Sequence, residues 1–86
     1  MYRYEIDEKL AEILQKLAKK DKASYLAIQK QIIKVANNPN AGKPLRYPLA
    51  GKRRVHIGHF VLVYAIKENE RKIIFLDFKH HDEAYR

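Results

Sequence analysis

Cysteine is absent from the 86 residues, so no disulfide staples the fold, which fits a reducing compartment. Long apolar runs are absent too. The longest, Phe60 to Ile66, falls far short of the ~20 residues a membrane-spanning helix needs. The opening residues, Met1-Tyr2-Arg3-Tyr4-Glu5, lack the hydrophobic stretch of a secretory signal. Internal repeats and low-complexity tracts are also missing. The expectation is one soluble, cytoplasmic domain spanning residues 1–86. A chain this short hides about 60–65% of its extended surface on folding, so its core is a single contact between layers.

Acid is missing from the middle of the chain. Between Asp21 and Glu68 every ionised side chain is cationic: Lys22, Lys30, Lys34, Lys43, Arg46, Lys52, Arg53, Arg54 and Lys67. The formal net charge is +8. Such an asymmetric field draws in polyanions and speeds their encounter. On charge alone, nucleic acid and an acidic protein suit it equally.

Hydrophobic spacing then supplies the elements. Tyr2 to Ile6 alternates as a short strand, with Tyr4 and Ile6 on one face. Asp7 suits a helix N-cap, and Leu10, Ile13, Leu14, Leu17 and Ala18 recur at helical spacing, predicting a helix from Glu8 to Lys19. Asp21 caps a second helix with Tyr25, Ile28, Ile32, Val35 and Ala36 as its apolar stripe. Asn38-Pro39 ends it, because the residue before proline is pushed out of the α region. The two helices are joined by almost nothing and form an antiparallel hairpin. Residues 40–49 read as an irregular connection pinned to the core by Leu45 and Leu49.

Three strands follow: Arg53 to Ile57, Phe60 to Ile66 and Lys72 to Phe78. Gly58-His59 and Glu68-Asn69-Glu70 make the turns. The predicted fold class is α+β, in the order β-α-α-β-β-β, an antiparallel sheet with the N-terminal helical hairpin packed on one face. A two-residue loop at Gly58-His59 sets Ile57 against Phe60, His56 against Val61 and Arg54 against Val63, and opposed residues share a side. Val55, Ile57, Phe60, Leu62, Tyr64 and Ile66 then face the helices, and Arg54, His56, Val61, Val63 and Ala65 face away. In the last strand Ile74, Leu76 and Phe78 are expected toward the helices, leaving Phe75, Asp77 and Lys79 on the open side. A slip of one residue would invert this.

The helical hairpin, the stretch Arg53-Arg54-Val55-His56-Ile57-Gly58-His59-Phe60-Val61-Leu62-Val63-Tyr64 and the ending His80-His81-Asp82-Glu83-Ala84-Tyr85-Arg86 resemble the RelE/ParE superfamily of toxins. The RelE branch fits best, through the tail that ends in Tyr after a basic pair. That resemblance implies a toxin that cuts messenger RNA in the ribosomal A site and is held inactive by a cognate acidic, RelB-like antitoxin. It implies two basic positions in the strand before the Gly turn, here Arg54 and His56. It also implies an Arg in the following strand, where this chain has Val61, and a basic pair followed by Tyr, here His80, His81 and Tyr85.

In that reaction the RNA 2′-hydroxyl attacks the adjacent phosphate and expels the 5′-oxygen. The chemistry needs a proton acceptor, a proton donor and fixed cations, and no cofactor or metal. Imidazole suits both proton roles near neutral pH, and guanidinium suits phosphate. The resemblance thus assigns Arg54 to the scissile phosphate, His81 and His56 to proton transfer in undecided order, and Tyr85 to a base or the 2′-hydroxyl. Lys52, Arg53, Lys79, His80 and Arg86 would hold flanking RNA phosphates.

Plainer readings stand beside these. His56 also suits an ordinary solvent-facing strand residue, His80 and His81 a frayed tail, Tyr85 a core anchor, and Arg53 and Arg54 edge charges that discourage aggregation. His59 reads as a turn residue, and a turn between His56 and His59 argues against a metal. Two other functions share the resemblance: a ParE-like, non-enzymatic toxin that binds DNA gyrase, and a degenerate member that only binds its antitoxin.

Overall fold

Two aspartates start the helices. Asp7 accepts from the Lys9 amide at 3.2 Å and Asp21 from the Ser24 amide at 3.1 Å, satisfying donors that the first turn leaves open. The Ser24 hydroxyl, donating to Asp21 at 2.6 Å, and then the Ser24 amide hold the Asp21 carboxyl below its ordinary range. The computed structural model describes residues 1–46 and 51–84. The expectations for Leu49, Tyr85 and Arg86 lie outside those residues. The elements are β1 (Arg3–Ile6), α1 (Glu8–Lys20), α2 (Lys22–Asn37), β2 (Lys43–Pro44), β3 (Lys52–Ile57), β4 (Phe60–Lys67), β5 (Lys72–His80) and the single turn α3 (His81–Ala84). Short 3₁₀ turns occupy Pro39–Ala41 and Glu68–Glu70.

The α+β class and the element order match the expectation, with β2 as a short addition at the edge. The sheet itself is mixed. Its order is β1-β5-β4-β3-β2, and β1 lies parallel to β5 while the other pairs are antiparallel. Tight turns force antiparallel pairing only between the strands they join. β1 reaches the sheet through the helical hairpin, so that constraint does not act on it.

The β3–β4 hairpin has the expected register, from Ile57 opposite Phe60 to Arg54 opposite Val63. Gly58 has φ +61°, and His59 has no positive φ. That is the pattern of a two-residue turn with glycine first. The β5 expectation needs correction. A β-bulge interrupts the ladder: Val63 opposes Asp77, Tyr64 opposes Phe75, and Leu76 is the extra residue. A bulge shifts the alternation by one. Ile73 and Phe75 therefore join the helix-side core, in place of Ile74 and Leu76. Phe78, beyond the bulge, stays on the helix side, and Asp77 and Lys79 keep the open side.

The main core packs Leu10, Leu14, Ile28, Ile32 and Val35 on Leu62, Tyr64, Ile73 and Phe75. Burying each large side chain contributes about 1.5–3 kcal/mol. Ala18, at the end of the predicted stripe, is exposed. Leu45 is buried as expected, but on the other face, in a second cluster with Val61, Val63 and Leu76. The open side of the sheet is thus covered along part of its length.

Tyr64 ties the two sides together. Its hydroxyl donates to the Pro39 carbonyl at 2.7 Å and accepts from the Gly42 amide at 2.9 Å. A Cβ on Gly42 would meet the Tyr64 hydroxyl at 2.5 Å and the Arg54 carbonyl oxygen at 2.6 Å. Backbone cannot yield as a flexible side-chain tip can. Gly42→Ala is therefore expected to lower unfolding free energy by about 1–3 kcal/mol, the usual cost of overpacking. A urea titration with an unshifted midpoint would contradict this close packing.

Candidate functional site

The strand register sets one row of side chains after another on the open side. Arg54, Val63 and Asp77 form one row, His56, Val61 and Lys79 the next. The chain then leaves β5 into α3, and its first residue, His81, returns over β3. The His81 amide donates to the His59 carbonyl at 2.9 Å, fixing that return. His81 and His56 stack with ring centroids 5.3 Å apart and planes 28° apart. Two residues far apart in sequence thus meet beside Arg54.

His56 is held below its ordinary pKa of 6.5 by loss of part of its water shell, then by the positive charge of Arg54, His81 and Lys43. All four effects disfavour the imidazolium. His56 is neutral at pH 7 and able to accept a proton. The unfolded chain takes up this proton more readily. Stability from this group is therefore complete above pH 6.5 and falls as pH drops toward the folded value.

His80 turns to the other side. It stacks near His59 at 6.5 Å and meets the edge of Phe60 at 5.5 Å. The Asp82 amide donates to His80 Nδ1 at 3.3 Å. The Asp82 carboxylate lies 3.7 Å from Nδ1 of both His80 and His81. Phe60 stacks on Phe78 at 4.9 Å, which anchors this end of the hairpin.

The sequence-predicted set therefore divides. Arg54, His56 and His81 come together. Lys52 is two residues along β3 from Arg54, on the same side by alternation. Lys79 shares the His56 row, but its ammonium lies 3.6 Å from Asp77, which also pairs with Lys9 at 3.2 Å. Arg53 lies on the helix side, alternating with Arg54: its Nε donates to the Gly42 carbonyl at 2.9 Å, so it braces the connection after α2. His80 stands on that side as well. Val61, where the resemblance expects Arg, is fully buried in the Leu45 cluster, so it brings no charge to the surface. Among the described residues, no three His, Cys, Asp or Glu side chains converge as metal ligands.

A feature beyond the predicted set is a cleft of about 210 Å³ at the β3 edge, lined by Gln31, Lys34, Lys43, Arg54, Val55 and His56. Lys43 belongs to β2, opposite Arg54. The sequence signal for these lysines was the acid-free stretch. Their convergence depended on a two-residue strand hidden within an irregular connection.

The fold is that of known toxins. The chain superposes on the toxin–antitoxin complex RelBE2 from Mycobacterium tuberculosis with a TM-score of 0.80, at 24% identity, over 93% of this chain and 98% of that one. It superposes on the isolated E. coli RelE toxin with a TM-score of 0.74, at 17% identity, over 93% and 84%. Residues 4–85 match the family described as the ParE toxin of type II toxin–antitoxin systems, parDE. A Methanocaldococcus jannaschii protein described as "Putative toxin RelE4" is 47% identical over 100% of this chain and 93% of its own length. The chain belongs to that family and is a toxin of the RelE/ParE superfamily of type II toxin–antitoxin systems.

Proposed function

We propose that this toxin is a ribosome-dependent endoribonuclease that cleaves messenger RNA in the cytoplasm. The observation that carries the reading is the stack of His56 on His81 beside Arg54, with His56 held neutral. His56 takes the proton from the RNA 2′-hydroxyl. The 2′-oxygen bonds to phosphorus, and the bond from phosphorus to the 5′-oxygen breaks. His81 donates a proton to that leaving oxygen. Arg54 holds the phosphate as negative charge builds on its oxygens. Lys52 and Lys79 hold flanking RNA, and Tyr85 and Arg86 complete the tail's contacts. The products are a 2′,3′-cyclic phosphate and a 5′-hydroxyl.

The proposed protein partner is a RelB-like antitoxin. An acidic, amphipathic segment laid across Arg54 and His56 would neutralise the site. The solved complexes of the superfamily from M. tuberculosis and E. coli contain toxin with antitoxin.

The direct experiment adds purified toxin to ribosomes stalled on a defined message. Cuts within the A-site codon are expected, and intact message at full ribosome occupancy would refute the proposal. A ParE-like reading, in which the toxin binds DNA gyrase, gains support from the family match and from the buried Val61. A supercoiling assay separates the two. Gyrase inhibition with uncut message would favour the second reading.

A further inference from the structure

The cleft beside the histidines is built from three separate segments, and only β3 belongs to the proposed catalytic group. Lys34 comes from the last turn of α2 and Lys43 from β2. Gln31 lies one helical turn before Lys34 and is half-buried, presenting a carboxamide on the same wall. β2 covers β3 only at Arg53 and Arg54, so the floor at Val55 and His56 is strand edge. None of its lining residues is acidic. Asp77, on this side of the sheet, is engaged by Lys9 and Lys79.

We infer that this cleft holds a second phosphate of the RNA strand, next to the one cleaved, through Lys34 and Lys43, with Gln31 as a hydrogen-bonding partner for the sugar or base between them. The inference rests on the endoribonuclease reading and extends its substrate contact from one phosphate to a track. Size supports this. At about 210 Å³ the cleft is smaller than the roughly 300–1,000 Å³ of pockets that enclose a drug-sized ligand. It suits one phosphate of a chain that continues in both directions. A cationic groove that follows a backbone is the usual way to hold a single strand without reading its sequence. The track also places positive charge beside His56, where Lys43 already helps to keep the imidazole neutral.

A plainer role for Lys34 is to complement the negative end of the α2 dipole. That role affects melting but not the salt dependence of RNA binding. The test therefore uses a fluorescent, single-stranded, 2′-O-methylated oligoribonucleotide, which binds without being cut. Anisotropy titrations across a salt series compare the wild type with Lys34→Gln, Lys43→Gln, the double variant and Lys16→Gln on the outer face of α1. Each cleft substitution is expected to reduce the slope of log affinity against log salt by about 0.7, and the pair by about 1.4. Lys16→Gln leaves the slope unchanged.

A double variant with the wild-type slope overturns the inference, while A-site cleavage by the wild type keeps the nuclease reading intact. Loss of slope in the double variant with uncut ribosomal message supports the cleft as an RNA site and rejects the nuclease reading. A wild type that fails to bind the oligonucleotide overturns the inference and leaves the lysines to an acidic protein partner.

Discussion

Replacing His56 with Gln lowers single-turnover cleavage of ribosome-bound message by about 10²–10⁴-fold, the contribution of a positioned acid–base group. The reason is specific to this position. His56 shares its space with Arg54, Lys43 and His81, and every one of those neighbours disfavours a proton on it. A neutral imidazole is what proton abstraction requires. In the wild type the rate is therefore expected to fall as pH drops below 6.5, the ordinary histidine value that His56 undercuts. Gln keeps the approximate size and a polar tip but cannot accept the proton, so this acid limb disappears along with the rate. Removing a surface-facing side chain should leave thermal unfolding near the wild-type value. A variant with full activity would show that His56 is only a strand residue.

Arg54→Ala is expected to lower kcat by about 10²–10³-fold, comparable to loss of one preorganised oxyanion donor. Arg54 stands opposite Val63 on β4 and Lys43 on β2, so two neighbouring strands fix its position. Its guanidinium also donates to the Lys43 carbonyl at a long 3.4 Å. Arg54→Lys retains charge without the planar fork and should fall between wild type and Ala. Buried Val61 adds no charge on the next strand. A loss confined to KM would instead mark Arg54 as an ordinary phosphate grip.

Some of this arrangement was legible in the sequence because local rules enforce it. Gly58-His59 between two apolar runs allows one tight hairpin register, and that register puts Arg54 and His56 on the same side. Asp7, Asp21 and Asn38-Pro39 mark helix boundaries through capping and steric conflict, which act over three or four residues. The bulge at Leu76 left no such mark. Ile73-Ile74-Phe75-Leu76 is apolar throughout, so alternation says nothing about which residue is extra, and the core selects Phe75 through the space beneath α1 and α2. The parallel direction of β1 was equally hidden, because it is set by pairing with β5 at the far end of the chain. Leu45 reached the open side for a related reason. The connection after α2 folds back along β3, carrying Leu45 onto the open side and presenting the Gly42 carbonyl to Arg53.

The candidate site shows the same division. Residue types suited to RNA chemistry were visible in β3 and in the tail. The contact between them arises from the His81–His59 backbone bond, which no spacing rule encodes. Lys43 entered through pairing too short to leave a pattern.

The central claim is that Arg54, His56 and His81 act together on one RNA phosphodiester. Its most direct test is the chemistry of the cut ends left on a ribosome-bound message after brief exposure to the toxin. The account predicts a 2′,3′-cyclic phosphate on the upstream fragment and a 5′-hydroxyl on the downstream one, both lost in the His56→Gln variant. A 3′-hydroxyl with a 5′-phosphate, or the same cyclic ends made at full rate by that variant, would contradict it.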